Sequence, residues 1–200
     1  MMKNEIVMAT NNAHKLEEAR QILGDKFTVR GLAEIGCHED IPETSDTLEG
    51  NAMQKAKYVY DKYGVSCFAD DTGLEVEALG GAPGVYTARY GNMHGYGESH
   101  DANANINCLL DNLKDKDTRN ARFRTAIALI INGEPHVFEG MVEGTILKEK
   151  VGDGGFGYDP VFAPVEGGGL SFSQMSQQDK NSISHRGRAM AKMVEYLRSL

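Results

Sequence analysis

The amino-acid sequence predicts a mixed α/β fold built on a long, partly antiparallel sheet. Three observations carry that prediction. Residues 5–69 alternate short apolar runs of strand length with stretches of helical periodicity. Two long strand-like runs flank Asn132-Gly133, a pair of positions that tolerate positive φ and favour a hairpin. The chain closes on residues 186–200, where Met190, Met193, Val194 and Leu197 recur at helical spacing. The order βαβ, helix, hairpin-rich centre and terminal helix argues for a mixed sheet.

Each element follows from local chemistry. Residues 5–9 read as a buried strand, and Thr10-Asn11-Asn12 as a turn. A helix follows with Leu16, Ala19, Ile22 and Leu23 on one stripe and Gly24 past its end. Residues 26–32 form a second strand, and the acidic, polar residues 36–46 a loop. Thr47 caps a helix whose Leu48, Ala52, Ala56, Val59 and Tyr63 keep helical spacing until Gly64. Residues 65–69 make a strand that ends in Asp70 and Asp71, and residues 74–77 a separate short strand. Residues 80–84 form a Gly/Pro turn cluster, and residues 91–101, rich in glycine and histidine, an exposed loop. Residues 103–113 are helical, residues 121–131 and 135–147 are the hairpin strands, and residues 161–162 a brief strand. Ser176-x-x-Asp179 resembles a capping box.

Length and composition bound the function. Two hundred residues suit one globular domain over residues 1–200, with no repeat and no dividing linker. Apolar content of 40% and charged content of 25% are ordinary for a folded soluble chain. A formal net charge of −8 disfavours binding to duplex nucleic acid or an anionic membrane. Small anions are still admissible, because a few local cations and a metal outweigh the global charge. Three widely spaced cysteines and no C-x-x-C point to reduced thiols and a cytoplasmic protein. No secretory or membrane-spanning apolar run occurs.

Four segments could carry chemistry. In Phe68-Ala69-Asp70-Asp71-Thr72-Gly73 a strand delivers adjacent carboxylates, which suit Mg²⁺; that ion takes one or two carboxylates and completes its shell with water and substrate phosphates. The same residues also make an ordinary turn. Glu39, Asp40, Glu43 and Asp46 offer further carboxylates, and spacing does not choose among them. Thr10-Asn11-Asn12-Ala13-His14-Lys15 opens a helix, whose N-terminal N–H groups and dipole suit phosphate. No P-loop is present, and read alone the turn is a capped helix with an exposed lysine. Residues 152–157 match G-x-G-x-x-G, but Pro160 stands where that fingerprint needs a helix. A glycine loop holding Phe156 and Tyr158 open to a planar ligand fits better, against the alternative that both aromatics enter the core. Ser184-His185-Arg186-Gly187 with Lys180 forms a basic cluster in an acidic chain; its plain alternative is helix-end solvation.

Taken in order, these segments resemble the inosine triphosphate pyrophosphatases, which hydrolyse non-standard purine nucleoside triphosphates such as XTP and dITP. The resemblance runs through residues 10–15, Glu43, Asn51-Ala52, Lys55-Ala56, residues 70–74, 80–90 and 154–160, and residues 184–187. It covers nearly the whole chain. Asn11 and Thr72 depart from the residues common there, glycine and serine. The resemblance implies an elongated two-lobed fold around a nucleotide cleft, a homodimer, and Mg²⁺-dependent cleavage of the triphosphate to monophosphate and pyrophosphate. By position, Asp71 is the general base and a metal ligand with Glu43, and Asp70 is a further metal carboxylate. Thr10, Asn11, Asn12, Ala13, His14, Lys15, Thr72 and Lys180 hold the triphosphate and sugar. Phe156, Gly157, Tyr158, Asp159, His185 and Arg186 hold the base. Two other readings stand beside it: a Maf-like pyrimidine nucleotide pyrophosphatase, against which His185-Arg186 argues, and a nucleotide-binding regulator without turnover.

Overall fold

The computed structural model describes residues 4–200. In chain order the elements are β1 (Asn4–Met8), α1 (Ala13–Leu23), β2 (Phe27–Arg30), α2 (Leu48–Tyr63), β3 (Cys67–Val76), β4 (Pro83–Gly84), α3 (Tyr90–Met93), α4 (Ala102–Leu113), β5 (Asn120–Ile131), β6 (Glu134–Ile146), β7 (Phe162–Pro164), α5 (Gln177–Ile183) and α6 (His185–Ser199). The strands join one mixed sheet in the order β2-β1-β3-β5-β6-β7, with β4 paired to β3. β1 runs parallel to β2 and β3, whereas β3–β4 and β6–β7 are antiparallel. The expectation of a mixed α/β sheet therefore holds.

Residues group into two compact units. The first comprises residues 1–71, 125–140 and 186–200; the second comprises residues 72–124 and 141–185. In the first unit the pleat sorts side chains to two faces. Ile6, Met8 and Phe68 point to one, with Ala19 and Leu23 of α1 and Met190 and Met193 of α6. Val7, Ala9, Cys67 and Ala69 point to the other, with Ala52, Ala56 and Val59 of α2. Helices on both faces are what parallel strands need, and they explain why β1 reads as a continuous apolar run. In the second unit, β-strand residues Leu74, Val76, Phe123, Val142 and Phe162 pack on Ile106, Leu109 and Leu113 of α4.

Local signals operate as the sequence predicts in several places. Asn12 caps α1, and Gly24 ends it with φ of 59°. Thr47 caps α2, and Gly64 closes it in the left-handed region. Asn132 and Gly133 both take positive φ at the β5–β6 turn.

Three expectations change. The strand over residues 65–69 and that over 74–77 are one strand, so Asp70-Asp71-Thr72-Gly73 lies inside β3 and is not a turn. Fully buried Phe68 and Ala69 on one side, and Leu74 and Val76 on the other, hold these turn-forming residues extended. Residues 91–101 are exposed from Asn92 onward, but Tyr90–Met93 is a helical turn, and a β-carbon on Gly91 would meet the Ala104 backbone. The reciprocal capping box belongs to Ser171 and Gln174, while Ser176 caps α5 through its own hydroxyl alone.

Candidate active site

The first unit gathers five charged side chains around β3. Asp70 is completely buried, and the Lys15 ammonium lies 3.3 Å from both its carboxylate oxygens. Arg186 donates from Nε to Asp70 Oδ2 at 3.1 Å and from a terminal nitrogen to Glu18. Lys55 donates to the Asp70 backbone carbonyl at 2.6 Å and forms an ion pair with Glu43 at 2.7 Å. Local folding sets these positions. Asn12 Oδ1 accepts from the backbone N–H of His14 and of Lys15, fixing the first turn of α1 so that Lys15 reaches inward. Thr10 Oγ1 accepts from Asn12 N–H and shapes the approach to that turn.

Adjacent carboxylates end up with opposite acidities. Burial would raise the Asp70 pKa, but Lys15, Arg186 and Lys55 outweigh it and hold the carboxyl far below the usual carboxylate range. Asp71 is pushed up to about 6, first by burial, with Glu43 and Asp70 adding to it and Lys55 and Lys15 only partly opposing it. Asn51 donates to Asp71 Oδ2 at 3.2 Å. Burial depresses the Lys15 pKa against the pull of Asp70, whereas Asp70, Glu43 and Asp71 overcome burial at Lys55 and raise its pKa. A carboxylate poised near neutrality beside ammonium groups can take a proton from water at a phosphorus centre while the cations hold phosphate oxygens.

The second unit carries another group. Lys180 is buried, donates to Asp159 Oδ2 at 2.7 Å and stands 4.7 Å from the Phe156 ring centroid. Asp159 also accepts from Phe156 N–H at 3.0 Å. Gly155 takes φ of 71°, and a β-carbon there would run into the Asp159 carboxylate, so this turn requires glycine. Gly157 follows with φ of 59°. His185 is buried and stacks on Phe123 with centroids 4.7 Å apart.

Several sequence expectations are thereby revised. Asp70 faces Lys15 and Arg186 with its carboxylate oxygens and does not stand open at a strand end. Arg186 is only 2% exposed, and its fork meets two carboxylates instead of standing open at a helix end. Tyr158 enters the core and donates its hydroxyl proton to the Thr87 carbonyl at 2.7 Å. Lys15 is 15% exposed and ion-paired, unlike an ordinary helical lysine. Asn11, Ala13 and His14 lie exposed around the start of α1, and Thr72 follows Asp71 on β3. Glu18, Asn51 and Lys55 join this cluster; the sequence assigns them no role, although Asn51 and Lys55 lie in segments that carry the resemblance. A signal exists for the last two: they sit four apart inside the α2 stripe of Leu48, Ala52, Ala56 and Val59, where a polar side chain needs a buried partner.

Among the described residues no group of three or more His, Cys, Asp or Glu side chains could by itself hold a metal ion. A Glu43–Asp71 pair of hard oxygen donors, with Glu43 half exposed, nevertheless fits a cation that draws its remaining ligands from water and phosphate. A cavity of about 370 Å³ in the second unit is lined by Glu75, Glu77 and Glu143 against Arg122, a charge balance that repels polyphosphate.

The segments named above lie within a longer match: residues 6–196 fit the model of the Ham1 family. The chain belongs to the Ham1 family. A dITP/XTP pyrophosphatase of Porphyromonas gingivalis is 55% identical to it over 194 residues, 96% of this chain and 97% of that protein. The dITP/XTP pyrophosphatase of Bacillus subtilis is 42% identical over 201 residues, covering 98% of both. Among solved structures, the Ham1 protein of Staphylococcus aureus aligns with a TM-score of 0.85 at 37% identity, over 98% of this chain and 99% of that one. A HAM1 protein from Coxiella burnetii aligns at 0.86 and 35%, over 98% and 100%.

The ion-pair arrangement of this Ham1 family member yields a stability test. Asp70→Asn leaves Arg186 and Lys15 facing a neutral amide, and stripping one partner from a buried charge cluster costs about 3–5 kcal/mol. Because the folded pKa of Asp70 lies below its unfolded value, its stabilisation is present above about pH 4 and is lost as pH falls. Urea unfolding should therefore show a large gap between wild type and variant at pH 7 that narrows below pH 4. Equal stabilities at pH 7 would refute the arrangement.

Proposed function

We propose that this protein hydrolyses non-standard purine nucleoside triphosphates, ITP, dITP and XTP, to the monophosphate and pyrophosphate, and so cleanses the nucleotide pool. The observation that carries the reading is the placement of Asp71, bonded to Asn51 and set next to Asp70 where Lys15 and Lys55 converge, with burial pushing its pKa up to about 6. Supporting it are the full-length similarity to dITP/XTP pyrophosphatases and the ordered motifs. The whole chain, residues 1–200, acts as one hydrolytic domain.

Asp71 accepts the proton of the water that attacks the α-phosphorus. Glu43 and Asp71 are the residues to hold Mg²⁺, which when bound supplies charge neutralisation to the phosphates. Lys15 and Lys55 stabilise negative charge on the phosphate oxygens, and residues 10–15 with Thr72 and Lys180 position the triphosphate and sugar. Phe156, Gly157, Asp159, His185 and Arg186 recognise the base. Donors aimed at a purine 6-oxo group accept hypoxanthine or xanthine, while the 6-amino group of adenine meets donor with donor and leaves buried polar groups unpaired. Resemblance supports a working homodimer, and the free, buried thiols of Cys37, Cys67 and Cys108 suit a reducing, cytoplasmic setting. No helix among the described residues is long and apolar enough to cross a membrane.

A nucleotide panel tests the reaction. With Mg²⁺, ITP, dITP and XTP should release pyrophosphate far faster than ATP does, and EDTA should abolish turnover. Orthophosphate as the primary product, or full activity in EDTA, would overturn the proposal.

Base reading by Arg186 is tested by Arg186→Ala. Loss of the Asp70 and Glu18 ion pairs burdens every nucleotide equally, so the informative quantity is the ratio of kcat/KM for ITP to that for ATP. A lost charged hydrogen bond to the 6-oxo group should lower that ratio by about tenfold or more. An unchanged ratio would assign Arg186 to the organisation of Asp70 alone.

A further inference from the structure

The amide of Asn51, buried on α2, is bonded at both ends. Its Oδ1 accepts from the backbone N–H of Ser45 at 2.8 Å, and its Nδ2 donates to Asp71 Oδ2 at 3.2 Å. The partners themselves settle which end is which. A backbone N–H only donates and an ionised carboxylate only accepts, so a flipped amide would break both bonds. Ser45 lies two residues beyond Glu43, so one side chain links Asp71 to the loop that carries the companion carboxylate.

Further contacts hold that loop along α2 in reverse order. Gln54 Oε1 accepts from Thr44 N–H at 2.9 Å, and Lys55 pairs with Glu43 at 2.7 Å. Tyr58 donates to Glu39 at 2.9 Å, and Lys62 pairs with the same carboxylate. Loop residues 45, 44, 43 and 39 thus meet helix residues 51, 54, 55 and 58 in succession. The Asn51 rung continues to Asp71, and its bond falls on a carboxylate whose terminal torsion is of an intrinsically broad type.

We propose that Asn51 is a positioning residue for the hydrolytic reaction: it aims the Asp71 carboxylate and locks it to the Glu43 loop. The inference rests on the assignment of Asp71 as general base. Asn51 acts through that base, so its removal lowers the rate of the chemical step and leaves nucleotide affinity in place. Misplacing a catalytic group by about 1 Å costs on the order of 10²-fold.

A double-mutant cycle tests this. Asn51→Ala removes both bonds. Asn51→Asp keeps the size and an oxygen for Ser45 N–H but turns an acceptor toward Asp71, so it carries the test if the alanine variant does not fold. Each is made alone and with Asp71→Asn; kcat and KM for ITP are measured at saturating Mg²⁺, with circular dichroism and Tm as controls for folding. We expect kcat to fall about 10- to 100-fold with KM nearly constant. In the Asp71→Asn background the same change should cost nothing further, because the two side chains act as one unit. A kcat within about twofold of wild type, a loss confined to KM, or an equal loss in both backgrounds would overturn the proposal. Near-normal turnover of Asp71→Asn alone would overturn the base assignment and the inference with it, an outcome distinct from the others.

Discussion

The carboxylate of Asp70 is the constraint on which the first unit depends. It is taken entirely out of water, and an uncompensated charge there would cost several kcal/mol. Compensation comes from separate elements: Lys15 at the start of α1 and Arg186 at the start of α6, while Lys55 of α2 takes the carbonyl of the same residue. Glu18 balances the second arm of Arg186. Through its carboxylate and its carbonyl, Asp70 thereby ties α1, α6 and α2 to β3, on top of the apolar packing that brings them there.

Once Asp70 is satisfied, its neighbour inherits the chemistry. Side chains alternate along a strand, so Asp71 leaves β3 on the opposite side from Asp70, and the nearby charges of Lys55 and Lys15 only partly oppose the rise in its pKa. Burial, with Glu43 and the ionised Asp70 adding to it, outweighs those two lysines and raises its pKa to about 6. Two aspartates adjacent in sequence therefore divide into one that stays ionised and one whose pKa rises to about 6. The division is one of environment and not of residue type, as it is wherever paired carboxylates take different roles. The ladder from α2 to residues 39–45 then holds Glu43 close enough to Asp71 for its charge to be felt there.

Much of this was legible in the sequence, because much of it is local. Asn12 and Gly24 bound α1, Thr47 and Gly64 bound α2, and Asn132-Gly133 turns the hairpin, each through contacts within a few residues. The turn stood as an alternative for Asp70-Asp71-Thr72-Gly73 because turn propensity is local, while the burial of Phe68, Ala69, Leu74 and Val76 that keeps β3 extended is tertiary. The role of Arg186 was hidden for the same reason: its partners lie 116 and 168 residues away in the chain. Asn51 and Lys55 were within reach of sequence reasoning. Two polar residues four apart in the buried stripe of α2 call for buried partners, even though only the fold names them as Asp71 and Glu43.

The opposite ionisation of Asp70 and Asp71 is the central claim, and carboxyl ¹³C NMR of the metal-free protein tests it most directly. With both side chains assigned by Asp70→Asn and Asp71→Asn, the Asp71 resonance should titrate with a midpoint near 6, and that of Asp70 should stay at its ionised shift down to pH 3. An Asp71 midpoint near 4, or an Asp70 resonance that titrates at or above the ordinary aspartate range, would contradict the account.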